Sequence, residues 1–219
     1  MKNSIITEFN NSLIIDSSDL IQDYMEIGID RIFENEILKQ IPFIKTLLGV
    51  VKIRKDLSQR KFTKNLIIFL NELNSGTIDR EKLKKHQLEL NKNPKLAEKE
   101  LGMVLIILNQ TIDNEKACFL SKLYKAYINQ IIHYNLFCEY SEVLNRLFVQ
   151  DLKILNQVYS GDLNATSGHP EMFRVERLNS VGIIGLTPKT IKVVNGDSRM
   201  DSFITLNKYG RLFANIIFN

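Results

Sequence analysis

This 219-residue chain contains no tryptophan, only two cysteines and only four prolines. The cysteines, Cys118 and Cys138, fall inside helical patterns with no Cys or His at ligand spacing. That excludes a disulfide framework and a zinc ribbon, and suggests thiols kept reduced. The ten glycines form no phosphate-cradling loop. Gly182 and Gly185 stand alone at a helix-to-strand turn, without the rest of a nucleotide fingerprint. No apolar run approaches the ~20 residues that a membrane span requires; the uncharged apolar stretch 101–112 falls well short of it. The first residues, MKNSIITEFNNSLIID, lack the charged start and long apolar stretch of a secretion signal. A cytoplasmic protein is therefore expected. His86, His133 and His169 are each isolated from any other His, Cys or acid at the spacing of a metal site or a triad. The sequence thus predicts no catalytic residues, no metal and no cofactor, and shows no small-molecule substrate. A non-enzymatic protein is expected.

What is present is the composition of a folded domain: 44% hydrophobic and 25% charged residues. The net charge of +4 invites a nucleic-acid partner. Its form weakens that reading, because lysine outnumbers arginine 20 to 9 in a chain also rich in Asn and Ile. Distribution says more than the total. Residues 1–38 hold eight acids and two bases, and residues 39–64 hold eight bases and one acid. Two elements packing with opposite charges facing is the simplest account; a basic segment meeting a phosphate-rich partner is the sharper one.

Helical spacing dominates the pattern. A helix is expected from about 18 to 38, followed by Pro42 at the start of another. The stretch 42–57 sets Phe43, Ile44, Leu47, Leu48, Val50 and Val51 against Lys45 and Lys52. A core helix is the plain reading; a membrane-surface helix touching anionic headgroups through Lys45, Lys52, Arg54 and Lys55 is the alternative. Further helices are expected over 62–73, ended by Gly76, and over 80–90, capped by Asp79. After Pro94 the run LGMVLIIL is apolar on all sides and predicts a central buried helix. Asp113 opens another, and a single long helix is expected from 136 to 159. Tyr124, Tyr127, Tyr134, Phe137 and Tyr140 recur at helical spacing, as core aromatics do. The segment 160–170 reads as a loop, and 172–181 as the last helix before a hairpin. Apolar runs at 191–194 and 203–206 are predicted to pair across NGDSRMD, with Asn195-Gly196 as the turn signal. A helix carrying Tyr209, Leu212, Phe213, Ile216 and Ile217 closes the chain.

The predicted fold is mostly α: a multi-helix N-terminal bundle with a C-terminal reduced winged-helix unit built on one β-hairpin. The expected parts are a helical region at 1–110, long joining helices at 111–160, and the winged-helix-like unit at 161–219.

The closing segment resembles the wing of MarR-type winged-helix regulators. The matching residues are Leu178, Gly182, Ile183 and Ile184 at the helix end, and Asp197 and Arg199 on the hairpin. Thr205, Leu206, Gly210 and Arg211 match at the next helix. The resemblance implies a DNA-binding alternative in which Arg174, Arg177, Lys192 and Arg199 contact phosphate or a groove. Glu171 and Glu176 on the same helix oppose it, as does the absence of room at 160–170 for the helix that normally precedes the recognition helix. The whole architecture also resembles the abortive-infection alpha family. The matching stretches are 115–129 (EKACFLSKLYKAYIN), 178–184 and 206–213. That resemblance implies phage defence. The leading expectation is a bacterial interaction or regulatory protein that binds a protein partner or itself; nucleic acid and a membrane surface are the alternative partners.

Overall fold

The computed structural model describes residues 2–15, 43, 44, 56–76, 78–166, 171–194 and 197–219; for 2–4, 189–194 and 197–201 it describes the backbone alone. Among these residues the chain forms nine helices and one antiparallel hairpin. The predicted helix at 18–38 lies outside the described residues, as do Lys45, Lys52, Arg54 and Lys55. The chain divides into two compact units, 1–141 and 142–219.

The first unit holds α1 (Lys2–Asn11), α2 (Leu57–Asn74), α3 (Arg80–Lys92), α4 (Pro94–Gln110), α5 (Asn114–Ile128) and most of α6 (Tyr134–Arg146). The starts follow local chemistry. The Asp56 carboxylate accepts the Ser58 and Gln59 N–H groups, Asp79 accepts Glu81 and Lys82, and Asn93 caps α4 with Pro94 behind it. His133 Nδ1 accepts the Leu136 N–H at 3.1 Å, so that histidine opens α6. Phe43 and Ile44 are buried, and the Phe43 ring lies 5.4 Å from Phe9.

The central helix is α2, not the LGMVLIIL helix. Every residue from Thr63 to Asn74 is buried. On α4, by contrast, Ile106 is 59% exposed, so that helix buries one face. The polar letters of α2 concealed its position, because Asn65, Glu72 and Asn74 reach partners inside. Asn65 Nδ2 donates to the Leu108 and Thr111 carbonyls at 3.0 and 2.7 Å, closing the open end of α4. Asn74 donates to the Leu13 and Leu70 carbonyls and accepts from the Ile15 N–H and from Arg80 Nη1. Lys125 Nζ donates to Glu72 Oε1 at 3.2 Å and to the Ser75 carbonyl at 2.8 Å.

The second unit holds α7 (Val149–Ser160), α8 (Met172–Ser180), β1 (Ile184–Val194), β2 (Asp197–Leu206) and α9 (Lys208–Phe218). The single long helix expected over 136–159 is two helices, because Phe148 takes an extended backbone between them. Its N–H, lost to the helical ladder, goes to Asp151 Oδ2 at 2.8 Å. The hairpin is longer than its apolar runs. Pairing runs from Ile184↔Leu206 to Val194↔Asp197, leaving two residues between the strands, with a bulge beside Pro188. Most of NGDSRMD is thus strand, since backbone pairing needs no apolar side chain. Residues 164–166 also meet the sheet: Ala165 bridges Phe203, with Thr166 N–H on the Ser202 carbonyl and Ile204 N–H on the Asn164 carbonyl.

One glycine is required by contact. A β-carbon at Gly210 would fall 1.8 Å from the Ile183 carbonyl oxygen, so α9 seats against the helix-to-strand turn only without a side chain there. Asn207 fixes the same junction, accepting from Gly210 N–H and donating to the Gly182 carbonyl, both at 2.7 Å.

Candidate functional site

Helix α8 carries the arginines expected to meet DNA, and its first turns show where they go. Asp151 on α7 is fully buried. Arg177 Nη1 donates to both its oxygens, at 2.9 and 2.8 Å, and Arg174 Nη1 reaches Oδ1 at 3.4 Å. Arg174 Nε also donates to Glu171 at 2.6 Å, and this partner more than any other raises the arginine's pKa further. A carboxylate so enclosed would be costly without such partners. The two guanidinium groups and the Phe148 N–H supply them.

The guanidinium faces are occupied too. Arg177 lies 4.6 Å from the Phe148 ring centroid and 5.8 Å from that of Phe173, and Arg174 lies 4.9 Å from Phe173. Both phenylalanines remain more than half exposed, at 58% and 51%. Spacing put Phe173 on α8, but nothing local in the sequence marked Phe148 or Asp151. The outward residues of α8 are Phe173, Glu176, Asn179 and Ser180. The result is a surface of two aromatic rings separated by an immobilised cation, with acids at its margin. Lys192 and Arg199 face each other in the hairpin register.

The first unit contains a second polar cluster that the sequence did not reveal. Glu100 on α4 is fully buried. Its Oε1 accepts from Tyr124 OH at 2.6 Å and lies 2.6 Å from His86 Nε2; its Oε2 accepts from Tyr127 OH at 3.2 Å. The carboxylate can only accept, which sets the imidazole proton on Nε2. Burial first, and Glu100 second, push the Tyr124 and Tyr127 hydroxyls well above their ordinary range. Tyr134 is also raised, chiefly by burial, and Lys99 Nζ sits 5.2 Å over its ring. Phe137 stacks on Tyr127 at 5.7 Å. His86, read as an isolated histidine of a charged helix, is therefore bound to a buried carboxylate. Its partner lies 14 residues away on the next helix, a spacing that no local motif encodes.

Cys118 and Cys138 are free and half-buried. Burial, then the neighbouring Glu72 carboxylate, push the Cys118 thiol up to about 12. His133 caps α6, and His169 lies outside the described residues. Among the described residues no three His, Cys, Asp or Glu side chains gather as a metal site, and no helix is long and apolar enough to cross a membrane. Compared with known proteins, the chain matches no family model, no curated protein and no solved structure.

Proposed function

We propose that this chain is a non-enzymatic interaction protein that engages a protein partner, or a second copy of itself, through its C-terminal unit. The observation that carries the reading is the Asp151 clamp. The guanidinium groups of α8 are bound to a buried carboxylate and stacked on Phe148 and Phe173. A groove-reading helix needs mobile cations facing phosphate. A surface of exposed aromatics beside a fixed arginine has the composition of protein-interface anchors.

The unit is read as a reduced winged helix. Its order supports this: α7, the 164–166 segment paired with β2, α8, the hairpin, then α9. Gly210 and Asn207 give the resemblance motif at the start of α9 a packing role. On the resemblance of 115–129, 178–184 and 206–213, the setting we propose is phage defence of the abortive-infection type.

Titration with random-sequence duplex DNA at low and high salt tests the reading. Weak binding that Arg177→Gln leaves unchanged is the expected result. Tight binding that falls steeply with salt and weakens in Arg177→Gln overturns it in favour of a DNA-binding regulator. In a phage-sensitive host, expression is expected to reduce phage yield, and the exposed-surface pair Phe148→Ser and Phe173→Ser to abolish the reduction.

A further inference from the structure

Helix α8 carries a stripe that its own unit leaves open. Val175 and Leu178 are fully buried on one side. On the other side Phe173 and Ser180, two turns apart, form one exposed line. At ~100° per residue, Glu176 falls on one flank of that line and Arg177 on the other. Glu176 is exposed and bonds to none of the described residues. Arg177 commits Nη1 to Asp151. Its Nε and Nη2 donate to no described residue and are not enclosed, and 30% of the side chain stays exposed. The Phe148 ring lies against this flank, 4.6 Å from the guanidinium group.

The charges of this face select its partner. Arg174, Arg177, Asp151, Glu171 and Glu176, the charged side chains of α8 and its clamp, include more acids than bases, so phosphate is not drawn in. A uniformly acidic or uniformly basic protein surface meets one of the two flanks with repulsion. The matching surface has an acid and a cation on opposite flanks of an aromatic line, which a second copy supplies. Symmetry fixes the pairing. A two-fold axis running along α8 sets the Glu176 flank of each copy against the Arg177 flank of the other. An axis running across α8 would set Glu176 on Glu176 and Arg177 on Arg177.

Given that this surface is a protein interface, as proposed above, we infer that its partner is a second copy of the chain. The two α8 helices lie alongside each other about a two-fold axis, Phe173 on Phe173, with a Glu176–Arg177 ion pair on each flank. The Asp151 clamp holds the cation in place beforehand, so little side-chain freedom is lost on pairing. The contact is small, and the dimer is therefore weak and reversible.

Sedimentation equilibrium of the full chain over about 1–200 µM measures the dimer, with a Kd expected at about 10 µM. Glu176→Arg sets cation against cation on both flanks and touches neither Asp151 nor the core; it is expected to weaken the dimer about tenfold or more. Phe173→Ser is expected to do the same, with amide-exchange protection of α7 and α8 reporting that the clamp stays closed. Glu176→Gln weakens it about two- to fivefold. Ser180 lies on the exposed line and donates only to the Arg177 carbonyl of its own helix. Ser180→Cys is therefore expected to give a disulfide between the two copies under mild oxidation, and Ser58→Cys, exposed on α2, to give none. A monomer at about 200 µM, or a dimer that either Glu176→Arg or Phe173→Ser leaves intact, overturns the second copy as partner. If phage restriction is then still lost in the Phe148→Ser and Phe173→Ser pair, the surface remains a protein interface for a different partner. A dimer broken by Glu176→Arg with phage restriction unaffected upholds the dimer and defeats the functional reading of the surface instead.

Discussion

Among the described residues, each of the two units encloses one acid completely, and the two acids are satisfied by opposite means. Glu100 is held by two tyrosine hydroxyls and an imidazole, Asp151 by two arginines and a backbone N–H. The first arrangement sits inside a packed aromatic cluster, with Tyr124 and Phe137 fully buried. The second lies one side chain below the surface, under rings that are half exposed. Hydroxyl donors let a carboxylate sit deep, because the tyrosines bring no formal charge of their own into the core. Guanidinium partners keep solvent contact, and they fix a cation at the surface. The second arrangement sets two exposed phenylalanine rings beside its cations.

The sharpest test of that difference compares the two ends of the Asp151 clamp. Arg177→Leu leaves the buried carboxylate with the 3.4 Å Arg174 contact and the Phe148 N–H, and is expected to cost about 3–5 kcal/mol. Asp151→Leu leaves guanidinium groups that still reach water, and is expected to cost less, about 2–3 kcal/mol. Amide-exchange protection of α7 and α8 measures both. Equal costs would mean that the carboxylate is no more cut off from water than the guanidinium groups. Gly210→Ala comes next, at about 1–3 kcal/mol or more, since its new methyl meets a backbone carbonyl that cannot move aside. Its expected effect is confined to α9 and the helix-to-strand turn.

In the first unit, Glu100→Gln removes an acceptor while keeping the shape, at an expected cost of about 1–3 kcal/mol in urea unfolding. The tyrosines predict a distinct pH response. Their folded pKa values are raised above the ordinary 10, so the protonated form is favoured in the fold. The stability this supplies is complete below pH ~10 and is lost as pH rises through the folded values. Absorbance titration of tyrosine should show Tyr124 and Tyr127 ionising late, together with loss of structure in 1–141; ionisation at the ordinary value would break the account. The smallest effect is chemical. Cys118, with its thiol pushed up to about 12, is expected to react with a disulfide reagent far more slowly at neutral pH than an unshifted thiol. Mapping the modified residue by mass spectrometry measures it.

Much of the architecture was legible in local chemistry. Asp79, Pro94 and Asn207 mark helix starts by rules that involve only neighbouring residues, whereas Asp56, which caps α2, lies inside the stretch 42–57 read as one helix, and α2 begins five residues before the expected 62. The hairpin and its closing helix were legible for the same reason, although the strands proved longer than their apolar cores. The break at Phe148 was not legible, because apolar spacing continues across it and the stabilising partner, Asp151, reads as one more surface acid. The centrality of α2 was hidden by buried polar residues, among them Asn65, Glu72 and Asn74, whose partners lie elsewhere in the chain. The polar sites were hidden likewise. Glu100 finds His86 and Tyr124 from 14 and 24 residues away, and Asp151 finds Arg177 from 26.

The sequence by itself determined a mostly helical chain with a C-terminal hairpin, and placed most helix starts, because caps, prolines and apolar period act over a few residues. Only the tertiary structure decided which charges are spent inside the protein. Arg174 and Arg177 look identical, as letters, to arginines free to meet phosphate. A buried carboxylate on a different helix claims them, and that pairing follows from packing, which sets dielectric and distance together.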